Sequence, residues 1–149
     1  MASRRIQETF EQLRAQRKTG IIPFVTVGFP DVETTLDLVA ALVDAGADVI
    51  ELGVPFSDPL ADGATIQKEG HHALQNGVSL RRCLEVCATL RHRGIETPLV
   101  LMGYYNPLLA LGIEEFVDRA QEAGVDGLIV VDLPPEESGP LREAVNVRG

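Results

Sequence analysis

Two carboxylates, Glu51 and Asp62, are residues whose type could support proton transfer. Glu51 stands between Ile50 and Leu52 inside an apolar stretch, where an ionised carboxylate without a partner is costly to bury. Two explanations of Glu51 are open. It is either an acid or base for proton transfer, or a structural carboxylate that pairs with Lys or Arg or lies exposed on an edge strand.

Asp62 follows eleven residues later, in a loop whose prolines restrict the backbone and whose Gly63 permits a sharp turn. A strand carboxylate and a loop carboxylate could approach one ligand from two sides. Asp62 could instead be a helix N-cap, and Asp58 is either an Asx-turn residue or a partner contact.

The sequence predicts no metal site. His71 and His72 are adjacent, so on a helix they point about 100 degrees apart and cannot both bind one ion. Cys83 and Cys87 lie one helical turn apart with no further Cys or His completing a zinc pattern. We expect them to be buried or half-buried reduced thiols.

Strand and helix patterns alternate around these residues. Apolar or β-branched runs predict strands at residues 21–27, 49–54, 99–104 and 128–131. Helical periods predict an amphipathic helix in residues 1–20, helices around residues 36–43, 80–90 and 116–123, and a weaker one from near Pro135. Residues between the second strand and the helix near 80 are predicted to be a long loop rich in Pro, Gly and Asp.

An acidic-Ala-Gly-apolar-Asp motif at residue 44 recurs at residue 122, 78 residues later, so two strand–helix units occupy that interval. Such alternation predicts a parallel sheet covered by helices. It leaves two architectures open, an open doubly wound sheet and a (βα)8 barrel. In a barrel, Glu51 would point to the interior near the C-terminal end of its strand, where barrel enzymes keep catalytic groups.

The composition argues against two classes of partner. The 149 residues include 22 acidic and 13 basic side chains, a formal net charge of −9, which disfavours nucleic acid and anionic membranes. No apolar run approaches the roughly 20 residues of a membrane span. We therefore expect a cytoplasmic protein.

The densest motif resembles a known family. The string ELGVPFSDPLADG at residues 51–63, followed by ATIQ at 64–67, is similar to the signature of the tryptophan synthase alpha chain family. Supporting matches are PFVTVGFP at 23–30, LMGYYNP at 101–107 and DLP at 132–134. The resemblance implies a TIM barrel of the (βα)8 type preceded by an extra helix. Residues 1–149 would then be a single incomplete barrel domain, with the extra helix in 1–20 and four βα units in 21–149.

The resemblance also implies an activity, the retro-aldol cleavage of indole-3-glycerol phosphate to indole and glyceraldehyde 3-phosphate in tryptophan biosynthesis. No metal or organic cofactor is implied in this chain. Glu51 would be the principal general acid/base, and Asp62 would interact with the nitrogen side of the indole. Four residues match positions that line the indole pocket: Phe24, Met102, Tyr104 and Ile129.

A partner is implied as well. The family's alpha chain faces a beta chain that holds pyridoxal phosphate and receives indole through a tunnel, and the complete protein is expected to form an alpha2beta2 heterotetramer. Four residues would then be contacts with the beta chain: Pro55, Asp58, Pro59 and Pro134.

Two departures from the family pattern qualify the activity. Ala64 stands where the family usually has Pro, and the four βα units that supply the family's phosphate-binding amides and mobile loop have no counterpart here. We therefore expect the isolated chain to be a weak or inactive lyase. The alternatives are a non-catalytic half-barrel that binds the beta chain and a pair of copies that closes an eight-stranded barrel.

Overall fold

Strands and helices alternate through residues 4–148, the part of the chain that the computed structural model describes. The strands are β1 (Phe24–Thr26), β2 (Ile50–Gly53), β3 (Leu99–Gly103) and β4 (Gly127–Val130). The helices are α1 (Arg4–Gln16), α2 (Val32–Asp44), α3 (Ala64–Gln75), α4 (Leu80–His92), α5 (Tyr105–Leu111), α6 (Ile113–Glu122) and α7 (Gly139–Arg148), with a short 3-10 helix, Pro135–Glu137, before α7.

The four strands form one parallel sheet in the order β1-β2-β3-β4. Each strand pairs with the next one in sequence, whereas a doubly wound sheet reverses its strand order at a switch point. This order is that of a barrel wound in one direction. Ile50 and Leu52 point to the helix-covered face of β2 and are fully buried, so the predicted alternation along this strand is confirmed.

Some boundaries differ from the prediction. β1 has three residues instead of seven, since Pro23 has no N–H to donate, although the N–H of Val27 still bonds to Gly53 O at 3.0 Å. α1 ends at Gln16, and Arg17 takes a left-handed φ of 54°. Residues 1–3 and 149 lie outside the described part of the chain, so the predicted domain limits stay a prediction.

Two helices were not predicted. α3 occupies the segment predicted to be a loop; its polar residues leave a buried stripe of only Gly70 and Ala73, which is too weak to show a helical period. The short α5 was missed because it is only seven residues long and is separated from α6 by Gly112, whose φ is 95°.

Arg91 of α4 joins three chain segments near the N-terminal ends of the strands. Its guanidinium side chain is only 13% exposed and donates to the carbonyl oxygens of Ile95 at 2.6 Å, Thr97 at 2.9 Å and Gly124 at 2.9 and 3.0 Å. It also pairs with the carboxylate of Asp126. A planar group with five donors suits such a cluster of acceptors.

Asp126 extends this cluster to the sheet and to α1. Its carboxylate, 3% exposed, accepts the backbone N–H of Leu99 at 2.9 Å and is paired with Arg5 at 3.3 Å. The neighbouring Ile6 packs close to Gly127 on β4, because a Cβ added to that glycine would lie 3.1 Å from Ile6 Cδ1. α1 therefore packs against this end of β4.

The two cysteines are buried free thiols in the core, as predicted. Burial raises the pKa of Cys87 to about 12, and burial together with the nearby Cys87 also raises the pKa of Cys83. A thiol in the unfolded chain ionises near pH 8.5. The folded state thus retains protons that the unfolded state releases at alkaline pH.

We predict a loss of stability at alkaline pH that depends on these thiols. Their contribution to the free energy of unfolding is fully present below about pH 8.5 and declines toward pH 12, by about 1.4 kcal/mol per pH unit for each thiol. Urea unfolding at pH 8 and pH 10.5 measures it, with the Cys83→Ala/Cys87→Ala variant as the comparison. The variant should lose less free energy of unfolding between the two pH values than the parent; equal losses would contradict the prediction.

Candidate active site

A small cavity lies at the C-terminal ends of β1, β2 and β3, under the loop that follows β2. In a parallel α/β sheet this edge is where ligands and catalytic groups are found. Strand ends, the β2 loop and the first turns of α3 all contribute to it. Its lining includes Phe24, Thr26, Gly53, Pro55, Phe56, Pro59, Asp62, Ile66, Gln67, Gly70, Met102 and Tyr104.

Phe24 forms one wall of this cavity because its ring lies against Gly53 of β2, which has no side chain. A Cβ added to Gly53 would lie 2.4 Å from Phe24 Cζ, so any side chain at position 53 would displace the ring. Met102 pairs with Gly53 in the sheet and also lines the cavity. Ile129 pairs with Met102, is 38% exposed, and lies outside the lining.

Glu51 lies in the middle of β2, paired with Phe24 and Val100. Alternation places it on the same face of the strand as Gly53, one pleat closer to the N-terminal end. The carboxylate is half-buried. Among residues 4–148 it makes no ion pair or hydrogen bond. The structure therefore offers no Lys or Arg partner that would explain Glu51 as a structural carboxylate.

Asp62 ends the loop that follows β2 and contributes to the cavity lining, whereas Glu51 does not. The N-cap of α3 is Gly63, with no side-chain capping bond, so the alternative that Asp62 caps this helix is wrong. The backbone of Asp62 is held instead, since Gln67 Nε2 donates to its carbonyl oxygen at 2.8 Å. Its side chain therefore has no capping role and borders the cavity.

Tyr104 fixes this loop from the side of β3. Its hydroxyl accepts the N–H of Ala61 at 2.9 Å, and its ring stacks against Phe56 with centroids 5.2 Å apart. Burial raises the pKa of Tyr104, and the nearby Asp62 carboxylate raises it further, although the Ala61 bond acts in the opposite direction. The phenol therefore stays protonated at neutral pH, next to Asp62.

The predicted partner contacts differ in exposure. Asp58 and Pro134 are exposed, Pro59 is half-buried, and Pro55 is buried in the cavity wall. Leu60, at the tip of the same loop, is 84% exposed. Their contacts with a beta chain stay a prediction.

Sequence reasoning missed the contact between Thr26, which lines the cavity, and Glu69 of α3. Thr26 Oγ1 donates to Glu69 Oε2 at 2.7 Å. Thr26 looked like an ordinary β-branched strand residue, and Glu69 lay in a segment predicted to be a loop. The missing signal was a helix prediction for residues 64–75. Such a prediction would have placed Glu69 on the same helix as Gln67.

Metal and membrane features are not found in the described chain. No group of three or more His, Cys, Asp or Glu side chains in residues 4–148 is arranged to hold a metal ion. His71 and His72 diverge as predicted, toward Gln75 and toward the carbonyl oxygen of Pro30. None of the helices in this range is long and apolar enough to span a bilayer.

Comparison with known proteins identifies the family. A model of the tryptophan synthase alpha chain family matches residues 10–149. This chain belongs to that family. The tryptophan synthase alpha chain of Roseiflexus sp. strain RS-1 is 51% identical over 145 residues, which are 97% of this chain and 56% of that relative. The chain thus spans about half the length of the curated relatives that it matches.

Solved tryptophan synthase structures agree with the fold. The alpha subunit from Legionella pneumophila strain Paris superposes with a TM-score of 0.95 at 43% identity, covering 100% of this chain and 56% of that one. A Pyrococcus furiosus structure, described as a tryptophan synthase a2b2 complex, gives 0.82 at 45% identity, covering 87% and 55%. The predicted TIM-barrel class is confirmed, and the four parallel strands correspond to half of such a barrel.

Proposed function

We propose that this chain provides the acid/base part of a tryptophan synthase alpha site. The reaction is the cleavage of indole-3-glycerol phosphate to indole and glyceraldehyde 3-phosphate. The observation that carries the proposal is the carboxylate of Glu51, which lies on the cavity side of β2 with no structural partner among residues 4–148, next to a cavity that Asp62 borders. Family membership supports the same reaction class.

The chemistry assigns a task to each carboxylate. Breaking the bond between indole C3 and the side chain requires protonation of C3, stabilisation of charge at the ring nitrogen, and removal of a proton from the side-chain hydroxyl. Glu51 transfers protons as general acid and base, and Asp62 stabilises the nitrogen side. When the bond breaks, its electrons pass to the indole ring and the former hydroxyl carbon becomes the aldehyde.

The remaining pocket residues bind and orient the indole. Phe24 and Met102 supply apolar walls, and Tyr104 supplies an aromatic wall with a protonated hydroxyl. Ile129, which lies outside the cavity lining, extends the apolar surface onto β4. No cofactor is needed in this chain for proton transfer between carboxylates and substrate. Pyridoxal phosphate belongs to the beta chain.

We propose the tryptophan synthase beta chain as the protein partner and the cytoplasm as the compartment. The a2b2 complex named for the Pyrococcus furiosus structure supports the partner. The contact surface would be the loop after β2, where Asp58 is exposed, together with Pro134 at the start of the 3-10 helix. Pro55 and Pro59 would fix the shape of that loop.

Indole release tests the proposed activity. We define the joined chain as residues 1–149 followed by the part of the Roseiflexus sp. strain RS-1 relative that lies beyond the match. The joined chain should release indole at ordinary enzyme rates of about 1 s⁻¹ or more, and the 149-residue chain at a much lower rate. A joined chain that folds cooperatively yet releases no indole would refute the assignment of Glu51 and Asp62.

A second candidate function is binding of the beta chain without catalysis. The exposed Leu60 at the tip of the proposed contact loop favours it, since burial of this side chain against a partner would be favourable. Calorimetric titration of the 149-residue chain with a tryptophan synthase beta chain distinguishes the two. Binding together with the absence of indole release from the joined chain would support this candidate over the lyase.

A further inference from the structure

We propose that the hydrogen bond between Thr26 and Glu69 is a positioning contact that holds the first turns of α3, and with them Asp62, over the C-terminal end of β1. The inference rests on the proposed function, because it concerns the placement of the Asp62 carboxylate. Neither Thr26 nor Glu69 is assigned a direct role in proton transfer.

The bond itself has the features of a strong contact. Thr26 is the last residue of β1 and only 5% exposed, and its hydroxyl donates to Glu69 Oε2 at 2.7 Å. Glu69 is half-buried. A hydroxyl bonded to a carboxylate at this distance is charge-assisted, and such bonds are about twice as strong as neutral ones. The contact therefore ties the second turn of α3 directly to the sheet.

The same helix passes this constraint to Asp62. Gln67, two residues before Glu69, donates from its side chain to Asp62 O at 2.8 Å and from its backbone to Gly63 O at 3.0 Å. Asp62 immediately precedes Gly63, the N-cap of α3. A tilt of the first turns of α3 would consequently move Asp62.

The other end of α3 is attached separately. The carbonyl oxygen of Pro30 lies 3.0 Å from His72 Nε2 and accepts a hydrogen bond from Asn76 Nδ2 at 3.0 Å. The rings of Phe29 and His72 meet edge to face, with centroids 5.4 Å apart. Loss of the Glu69 bond would therefore release the first turns of α3 while the C-terminal end stays attached. This predicts a local change in the loop instead of unfolding.

Amide hydrogen exchange of the 149-residue chain tests the inference without requiring activity. The N–H of Ala61 reports on the loop, since it bonds to Tyr104. Glu69→Ala and Thr26→Val should each speed exchange at Ala61 about tenfold or more, as expected for the loss of one charge-assisted hydrogen bond. Exchange of the backbone amides in α4 should stay unchanged. The double variant Glu69→Ala/Thr26→Val should exchange the Ala61 amide no faster than either single variant.

Conservative variants provide the matched comparison. Glu69→Gln retains the acceptor oxygen, and Thr26→Ser retains the donor hydroxyl. The exchange rate of the Ala61 amide in each should therefore stay close to that of the parent. Glu85→Ala removes an exposed ion pair with Arg82 on α4 and should leave Ala61 unaffected.

Three outcomes would overturn the inference: unchanged exchange at Ala61 in folded Glu69→Ala, a uniform rise over the whole chain, or loss of folding in both Glu69→Ala and Thr26→Val. None of these outcomes depends on indole release. A failure here is therefore distinct from a failure of the proposed function.

Discussion

Replacing Glu51 by Gln should reduce indole release from the joined chain by a factor of about 10² to 10⁴, the usual contribution of a general acid or base. Gln has nearly the same size as Glu but cannot donate and accept a proton at neutral pH. The carboxylate of Glu51 makes no hydrogen bond or ion pair within residues 4–148, although the backbone N–H donates to Pro23 O at 2.9 Å. The substitution therefore removes no structural contact in this range, and the free energy of unfolding should change by less than about 0.5 kcal/mol.

Steady-state rates of indole release, with urea unfolding of the same preparations, check this expectation. Glu85→Gln on the exposed side of α4 is the matched control, because it makes the same chemical change far from the cavity. Near-normal turnover in Glu51→Gln would refute the acid/base role. A large loss of stability in the same variant would show instead that Glu51 is a structural residue.

Replacing Arg91 by Met should destabilise the chain by about 3 to 5 kcal/mol, the cost of breaking a buried ion pair by removing one partner. The change leaves Asp126 buried with less compensation of its charge. It also removes the donor to the carbonyl oxygens of Ile95, Thr97 and Gly124. Met preserves most of the side-chain volume. The decrease in the free energy of unfolding therefore reports on hydrogen bonding and charge more than on packing.

Arg93→Met is the control for this prediction. Arg93 lies two residues further on and makes ion pairs with Glu33 and Asp37, but the carboxylates of both are largely exposed. Such pairs contribute at most about 1 kcal/mol. Urea unfolding of the 149-residue chain compares the two variants, and equal effects would contradict a special role for the buried Arg91.

The strand pattern of this chain was predictable because each strand is a short apolar run between turn residues. The runs around Leu52 and Leu101 matched β2 and β3 within one or two residues. Parallel pairing followed from the helices between them. The choice between a barrel and an open sheet did not follow, because the helix-covered face of each strand has the same apolar pattern in both.

The candidate site was predictable only in part. Glu51 was visible because a carboxylate inside an apolar strand breaks the local pattern, and Asp62 because of its rigid loop. The link from Thr26 to Glu69 was not visible, because α3 has little apolar periodicity and the contact joins residues 43 positions apart. Long-range polar contacts of this kind leave no local signal in the sequence.

The Arg91 cluster and the Asp62 loop lie at opposite ends of the strands, and this separation has a consequence for protein engineering. β2 has four residues, so about 10 Å of extended chain, at roughly 3.3 Å per residue, lies between the two ends. Substitutions that are more than about 7 to 10 Å apart and share no partners usually have additive effects. Libraries that vary residues 55–61 and keep Asp62 would therefore explore new substrates while the Arg91–Asp126 pair at the other end maintains the scaffold.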